Sequence, residues 1–218
     1  MVQECEHLAL SSTHSQLLKW RGLHRCLVKT TSFPRNNADS CMDSDSREAA
    51  AGDAAFEHVR HRPPTQLERP RELLLVVAPL RSQVNLSNIA RTASCCGLTK
   101  IVACGQGKLD KTVARDGADE LEIEVHRTLL PVLKELRKEG WFLAALEQTT
   151  DSVNMHEYQF PRKVALVIGN ERHGLSDEEL SLMNVCLEIP VWGLPHSYNV
   201  ANATAMALYE YCRQYPRG

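Results

Sequence analysis

The sequence predicts an α/β protein, a mostly parallel sheet with helices on both faces. Three observations predict it. From Leu73 onward, apolar runs of strand length alternate with segments of helical spacing. The runs are apolar throughout rather than at every second position, as strands buried on both faces require. Two late runs also stop abruptly, Val164–Ile168 at Gly169-Asn170-Glu171 and Val185–Ile189 at Pro190. Such stops put amides, carbonyls and a carboxylate at the edge where open α/β sheets bind ligands.

Each element has its own justification. Leu73–Ala78 is an unbroken apolar strand. Ser87–Cys96 has helical spacing through Ile89, Ala90 and Ala93, and Gly97 closes it. Lys100–Cys104 is a short strand, and the alternation Leu121, Ile123, Val125 marks another over 121–125. Leu129–Lys138 is a helix with Leu130, Leu133 and Leu136 inward, ended by Gly140. Trp141–Leu146 is a strand. Ser176 caps a helix through Met183, and Glu179 completes a capping box. Asn199–Tyr211 is the last helix, with Ala203, Met206, Ala207 and Tyr211 on one face.

Composition narrows the function classes. A chain of 218 residues holds one good core with residues to spare. Its net charge of −2 excludes a protein living on general phosphate attraction, so a nucleic-acid partner needs a local basic patch. Eight cysteines include no CxxC pair, which removes zinc-ligand spacing and a disulfide framework. Reduced thiols point inside the cell, with the cytoplasm favoured. No apolar stretch approaches the roughly 20 residues of a membrane span, and no secretory segment is present.

Two regions differ in composition. Residues 71–218 form the domain. Residues 1–70 read as a poorly ordered extension, because 34–70 is rich in Pro, Ser, Asp and Asn and poor in apolar residues. Within it, Leu17, Trp20, His24, Leu27 and Val28 recur at helical spacing among Lys19, Arg21, Arg25 and Lys29. This is a short basic amphipathic helix that packs on a core or partner, contacts RNA, or targets a mitochondrion.

Familiar cofactor motifs do not fit. Gly105-Gln-Gly107 lacks the third glycine and the helix of a dinucleotide fingerprint. A serine hydrolase at Ser197 would need an oriented histidine, which neighbouring His196 does not supply. His173 and His196 read as loop hydrogen-bonding residues. Three other segments do fit together. Asn85-Leu-Ser-Asn-Ile-Ala-Arg91 opens a helix after the first strand, an end that attracts anions, and arginine offers a planar fork for phosphate. Gly169-Asn-Glu-Arg-His-Gly174 brackets polar residues with glycines where a ligand can approach closely. Ile189-Pro-Val-Trp-Gly-Leu-Pro-His-Ser-Tyr-Asn-Val200 is a rigid loop leading to Ser197 and Asn199 at the final helix.

In order and spacing these three segments resemble the SpoU/TrmH family of SPOUT methyltransferases over residues 73–214. The resemblance implies a C-terminal trefoil knot and S-adenosylmethionine as cofactor. It implies transfer of a methyl group to a ribose 2′-hydroxyl of tRNA or rRNA by a homodimer, with no metal. It places Leu146, Gly169, Asn170, Ile189, Pro190, Leu194, Tyr198 and Val200 on the cofactor. Asn85, Arg91, Glu171, Ser197 and Asn199 fall on the polar catalytic set. RNA should meet Arg91, Lys100, Lys108, Lys111 and Arg115. The chain departs from the family at Ser87, often glycine, and at Tyr198, often leucine. Ser87 should restrict the turn before its helix. The alternatives are a catalytically inactive RNA-binding dimer of the same fold, a base-methylating SPOUT enzyme and a nicotinamide oxidoreductase.

Overall fold

A computed structural model describes residues 58–59, 62–115 and 117–218. The basic helix read near Leu17–Val28 lies outside them. Seven strands alternate with six helices in this order: β1 Leu73–Val77, α1 Gln83–Cys95, β2 Lys100–Cys104, α2 Lys111–Ala114, α3 Gly117–Glu120, β3 Glu122–His126, α4 Leu129–Lys138, β4 Phe142–Leu146, β5 Val153–Asn154, β6 Val164–Ile168, α5 Asp177–Leu180, β7 Val185–Glu188 and α6 Val200–Gln214. A single 3₁₀ turn, Met155–Glu157, follows β5. The strands form one sheet in the order β3-β2-β1-β6-β4-β7-β5, and every pairing is parallel.

The period-two geometry of a strand sorts the core into two layers. Leu75, Val77, Ile101, Leu166 and Ile168 face α1 and α6. Val76, Val102, Leu143, Ala165 and Val167 face α4. β6 is buried at all five positions, so its unbroken apolar run follows from helices on both sides. Among the described residues no helix is long and apolar enough to cross a membrane.

Local chemistry sets the helix ends. Ser82 caps α1, its Oγ accepting from Asn85 N at 3.2 Å. The helix therefore starts at Gln83, four residues before the expected Ser87, because the Ser82 cap adds a turn, with Leu86 buried, ahead of the Ile89, Ala90 and Ala93 spacing. Ser87 lies inside α1, fully buried, rather than in the turn before it. Its hydroxyl donates to Gln83 O at 2.7 Å and accepts from Asp110 N at 2.8 Å. It thus ties the loop after β2 to α1, which a glycine in its place could not do. Gly97, at φ +76°, takes the left-handed position past the helix end. The Ser176–Glu179 capping box forms, but α5 lasts one turn. Leu182 and Met183 then bond three residues back instead of four, tightening the chain into β7. On α6 the buried stripe is Ala201, Thr204, Ala207, Leu208 and Tyr211, and Met206 is exposed. The inward face is rotated from the one expected.

Residues 67–69 meet the end of the chain. Glu68 N donates to Arg217 O at 2.9 Å, and Arg217 Nη1 lies 3.0 Å from Glu68 Oε1. Arg71 donates to Cys96 O and Tyr215 O at 2.6 and 2.7 Å, joining the approach to β1 with the ends of α1 and α6.

Candidate active site

The site begins with register. Leu146 pairs with Ile168 and with Leu187, so β4, β6 and β7 end in a row. The residues that follow leave the sheet together, and a cavity of roughly 460 Å³ opens over them. Leu146, Gly169, Ile189 and Val200 line it with Tyr198 and Asn170. So do Asn85, Glu171, Ser197 and Asn199. The three sequence segments, up to 115 positions apart by the numbering from Asn85 to Val200, thus converge on one hollow.

Two expected cofactor residues lie elsewhere. Pro190 lines an adjoining cleft of roughly 320 Å³ with His196 and Gln148, and its carbonyl accepts from Tyr198 OH at 3.4 Å. Leu194 lines neither hollow and is 80% exposed. It lies in a stretch, 192–199, in which every residue is exposed.

Three of the polar residues form a connected chain. Glu171 accepts from Arg81 N at 3.1 Å, Ser82 N at 3.3 Å and Asn85 Nδ2 at 3.2 Å. Asn85 Oδ1 then accepts from Asn199 Nδ2 at 3.3 Å, and Asn199 Oδ1 caps α6 through Ala201 N at 2.9 Å. Partial desolvation pushes the Glu171 carboxyl up, but the amide donors from Arg81, Ser82 and Asn85 outweigh it and hold it below the usual carboxylate range. Asn170 fixes the turn beneath, donating to Pro79 O at 2.7 Å and accepting from Arg172 N at 2.9 Å.

Arg91 does not line the cavity. It is exposed on α1, six residues past Asn85, about 9 Å along the helix axis. Among the described residues no carboxylate is paired with it. Of the other basic residues, Lys100 is held by Glu124 and by Glu122 at 3.5 Å, which keep its ammonium charged. Lys111 lies 3.6 Å from Asp119. Lys108 and Arg115 are exposed.

Sequence reasoning missed Glu147, Gln148 and Glu188, all of which line the cavity. Glu147 had a visible signal: it follows an apolar run directly, as Gly169 does. Together Glu147, Glu171 and Glu188 give the cavity three carboxylates, and among the described residues no lysine, arginine or histidine lines it. Among the described residues no cluster of three His, Cys, Asp or Glu is placed to hold a metal ion.

The profile of the SpoU rRNA Methylase family matches residues 72–209. The tRNA (guanosine(18)-2'-O)-methyltransferase TARBP1 of Mus musculus is 30% identical over 148 residues, 65% of this chain and 9% of that protein. The tRNA (guanosine(18)-2'-O)-methyltransferase of Escherichia coli K12 is 28% identical over 149 residues, 67% of this chain and 65% of that enzyme. The chain therefore spans less than two thirds of these relatives' own length. Among solved structures, the A. aeolicus TrmH/SpoU tRNA modifying enzyme superimposes with a TM-score of 0.64 at 26% identity, covering 69% of this chain and 78% of that one. A profile that matches well over half of the chain, including every strand that borders the cavity, settles its kinship: the chain belongs to the SpoU family.

Proposed function

We propose that this protein is an S-adenosylmethionine-dependent RNA methyltransferase acting on a ribose 2′-hydroxyl of tRNA or rRNA. The observation that carries the reading is the cavity's charge. Three carboxylates and no basic side chain suit a cationic ligand and repel a pyrophosphate. A sulfonium methyl donor is such a cation, whereas a nicotinamide dinucleotide is not. Gly169 adds a second fit: a Cβ there would lie 2.8 Å from Glu147 Oε2 and from Gly174 C, so the floor of the cavity is backbone.

S-adenosylmethionine, when bound, supplies a methyl group already activated on sulfur. Leu146, Gly169, Ile189, Tyr198 and Val200 would hold it, with Asn170 shaping the turn below. What remains is to bring one weakly acidic hydroxyl into line and stabilise it as it loses its proton, and alignment alone lowers such a barrier substantially. Asn85, Ser197 and Asn199 present amide and hydroxyl groups for the ribose. Glu171 anchors them. Its oxygens already accept three N–H donors and its basicity is depressed, which suits an anchor better than a base. Arg91 binds the adjoining phosphate and stabilises developing alkoxide charge; a guanidinium is too weak an acid to serve as a base. Lys108 and Arg115, with Lys100 and Lys111 more heavily engaged by acids, extend the contact along the RNA. The trefoil knot implied by the family would form from the same loops that meet at the cavity.

The test is direct. The protein is incubated with S-adenosylmethionine and total tRNA or rRNA, and nucleosides are resolved by mass spectrometry. A 2′-O-methylated nucleoside should appear. Methylation confined to a base, or cofactor binding without transfer to any RNA, would refute the reading.

A homodimer belongs to the same proposal. Six of the nine large apolar side chains exposed among the described residues lie on α1, the 190–199 loop and α6: Val84, Trp192, Leu194, Tyr198, Met206 and Tyr209. Patches of this kind mark association surfaces. Light scattering at micromolar concentration should give the mass of two chains, and Tyr209→Glu should lower it toward one. A wild-type mass of one chain would sink the dimer. The five described cysteines are free thiols, which supports an intracellular setting.

A further inference from the structure

Glu147 and Gly169 leave the sheet side by side, because β4 and β6 are neighbours paired at Leu146 and Ile168. The backbone N–H of Glu147 donates to Leu187 O at 3.0 Å, which fixes where its side chain begins. The carboxylate then lies over the Gly169–Gly174 turn, where Oε2 accepts from Leu175 N at 3.2 Å. A Cβ on Gly169 would come within 2.8 Å of that oxygen, and one on Gly174 would come closer still. The acid is a flexible neighbour, but Gly174 C also lies 2.8 Å from a Cβ on Gly169 and Gly174 sits at φ +62°, so backbone as well as the acid favours glycine at both positions.

Besides the bonds Glu171 makes to the start of α1, few contacts hold the turn. It closes on itself through Asn170 N to Gly174 O at 3.1 Å and Gly174 N to Asn170 O at 2.9 Å. One side is tied by Asn170 to Pro79 O. Glu147 ties the other. The turn carries Glu171, which reaches α1, and its first residue floors the cavity.

We propose that Glu147 is a positioning residue whose carboxylate seats the Gly169–Gly174 turn, and that donor affinity depends on this contact. The affinity part rests on reading the cavity as the S-adenosylmethionine site. Glu147 acts through the turn's backbone, so what it must supply is an acceptor oxygen at Leu175 N.

Glu147→Ala and Glu147→Gln in the full chain test this by two measurements. Hydrogen exchange followed by mass spectrometry reads the turn without any ligand. Calorimetric titration with S-adenosylmethionine reads affinity. In Glu147→Ala, exchange across 169–176 should quicken about tenfold or more while β1 stays protected, and Kd should rise about tenfold or more. Glu147→Gln keeps an acceptor but not the charge: exchange should stay within about threefold of wild type, and donor affinity should fall between wild type and Glu147→Ala. Wild-type exchange in Glu147→Ala would overturn the proposal. So would a glutamine variant as weak as alanine, since charge rather than seating would then be what the donor needs. Should wild type bind no S-adenosylmethionine, the donor reading falls, and the exchange comparison still decides whether Glu147 seats the turn.

Discussion

Arg91→Ala should cut methyl transfer by about 10²–10³-fold while S-adenosylmethionine affinity stays within about twofold of wild type. The separation follows from position. Arg91 stands about 9 Å along α1 from Asn85, outside the cavity proposed for the donor and without an acidic partner among the described residues. Removing it costs the donor nothing and leaves the helix intact, because alanine suits a helix interior. What is lost is a fork for the RNA phosphate and for charge developing on the ribose oxygen. Arg91→Lys should recover only part of the rate, since an ammonium cannot make the paired contact. Single-turnover rates with labelled donor, beside calorimetric donor titration, check both halves. Turnover near wild type in the alanine variant would remove Arg91 from the mechanism.

Glu171→Ala should have the second largest effect, a loss of about 10²-fold in transfer with a stability change of about 1 kcal/mol or less. Glu171 joins the turn after β6 to the start of α1. That helix has no acidic residue in its first turn, so Glu171 supplies the negative charge its amino end favours from another part of the chain. Without it, Asn85 loses the acceptor that orients its amide toward Asn199. Water replaces the lost acceptor because the group is exposed, which keeps the stability cost small. The pH dependence has a definite sign. The folded carboxyl is held below its ordinary value of 4.5, so its contribution is complete above that value and fades as pH falls through the folded pKa. Urea unfolding of wild type and Glu171→Gln should therefore differ at pH 7 and converge well below pH 4.5. A constant gap across that range would contradict the linkage.

Much of the fold was legible because burial on two faces writes itself as uninterrupted apolar runs. β1, β2, β4, β6 and β7 all carry that mark, and their ends differ from expectation by a residue at most. α2, α3 and β5 carried none. Each is four residues or fewer, too short for a period, and Asp110 and its neighbours form α2 by local capping alone. α1 begins four residues before the expected start because the Ser82 cap sets its beginning, whereas the expectation rests on the later Ile89, Ala90 and Ala93 spacing. The site followed the same rule. Gly169, Glu171 and Asn199 were visible because an apolar strand or helix stops beside them. Glu147 obeys that rule too, although the family resemblance points to its neighbour Leu146. The sequence puts Arg91 on the helix that opens after the first strand, yet spacing cannot say how far along that helix the cavity extends.

The pairing of Glu68 with Arg217 leaves the two ends of this fold touching. They meet at the edge from which the strands set out, whereas the hollow lies where the strands finish. The unit can therefore be spliced into a larger polypeptide, or its ends joined and the chain reopened at another surface loop, without crossing the hollow. That geometry suits a module that recurs as a small fraction of a far longer protein in one relative and as most of a short one in another.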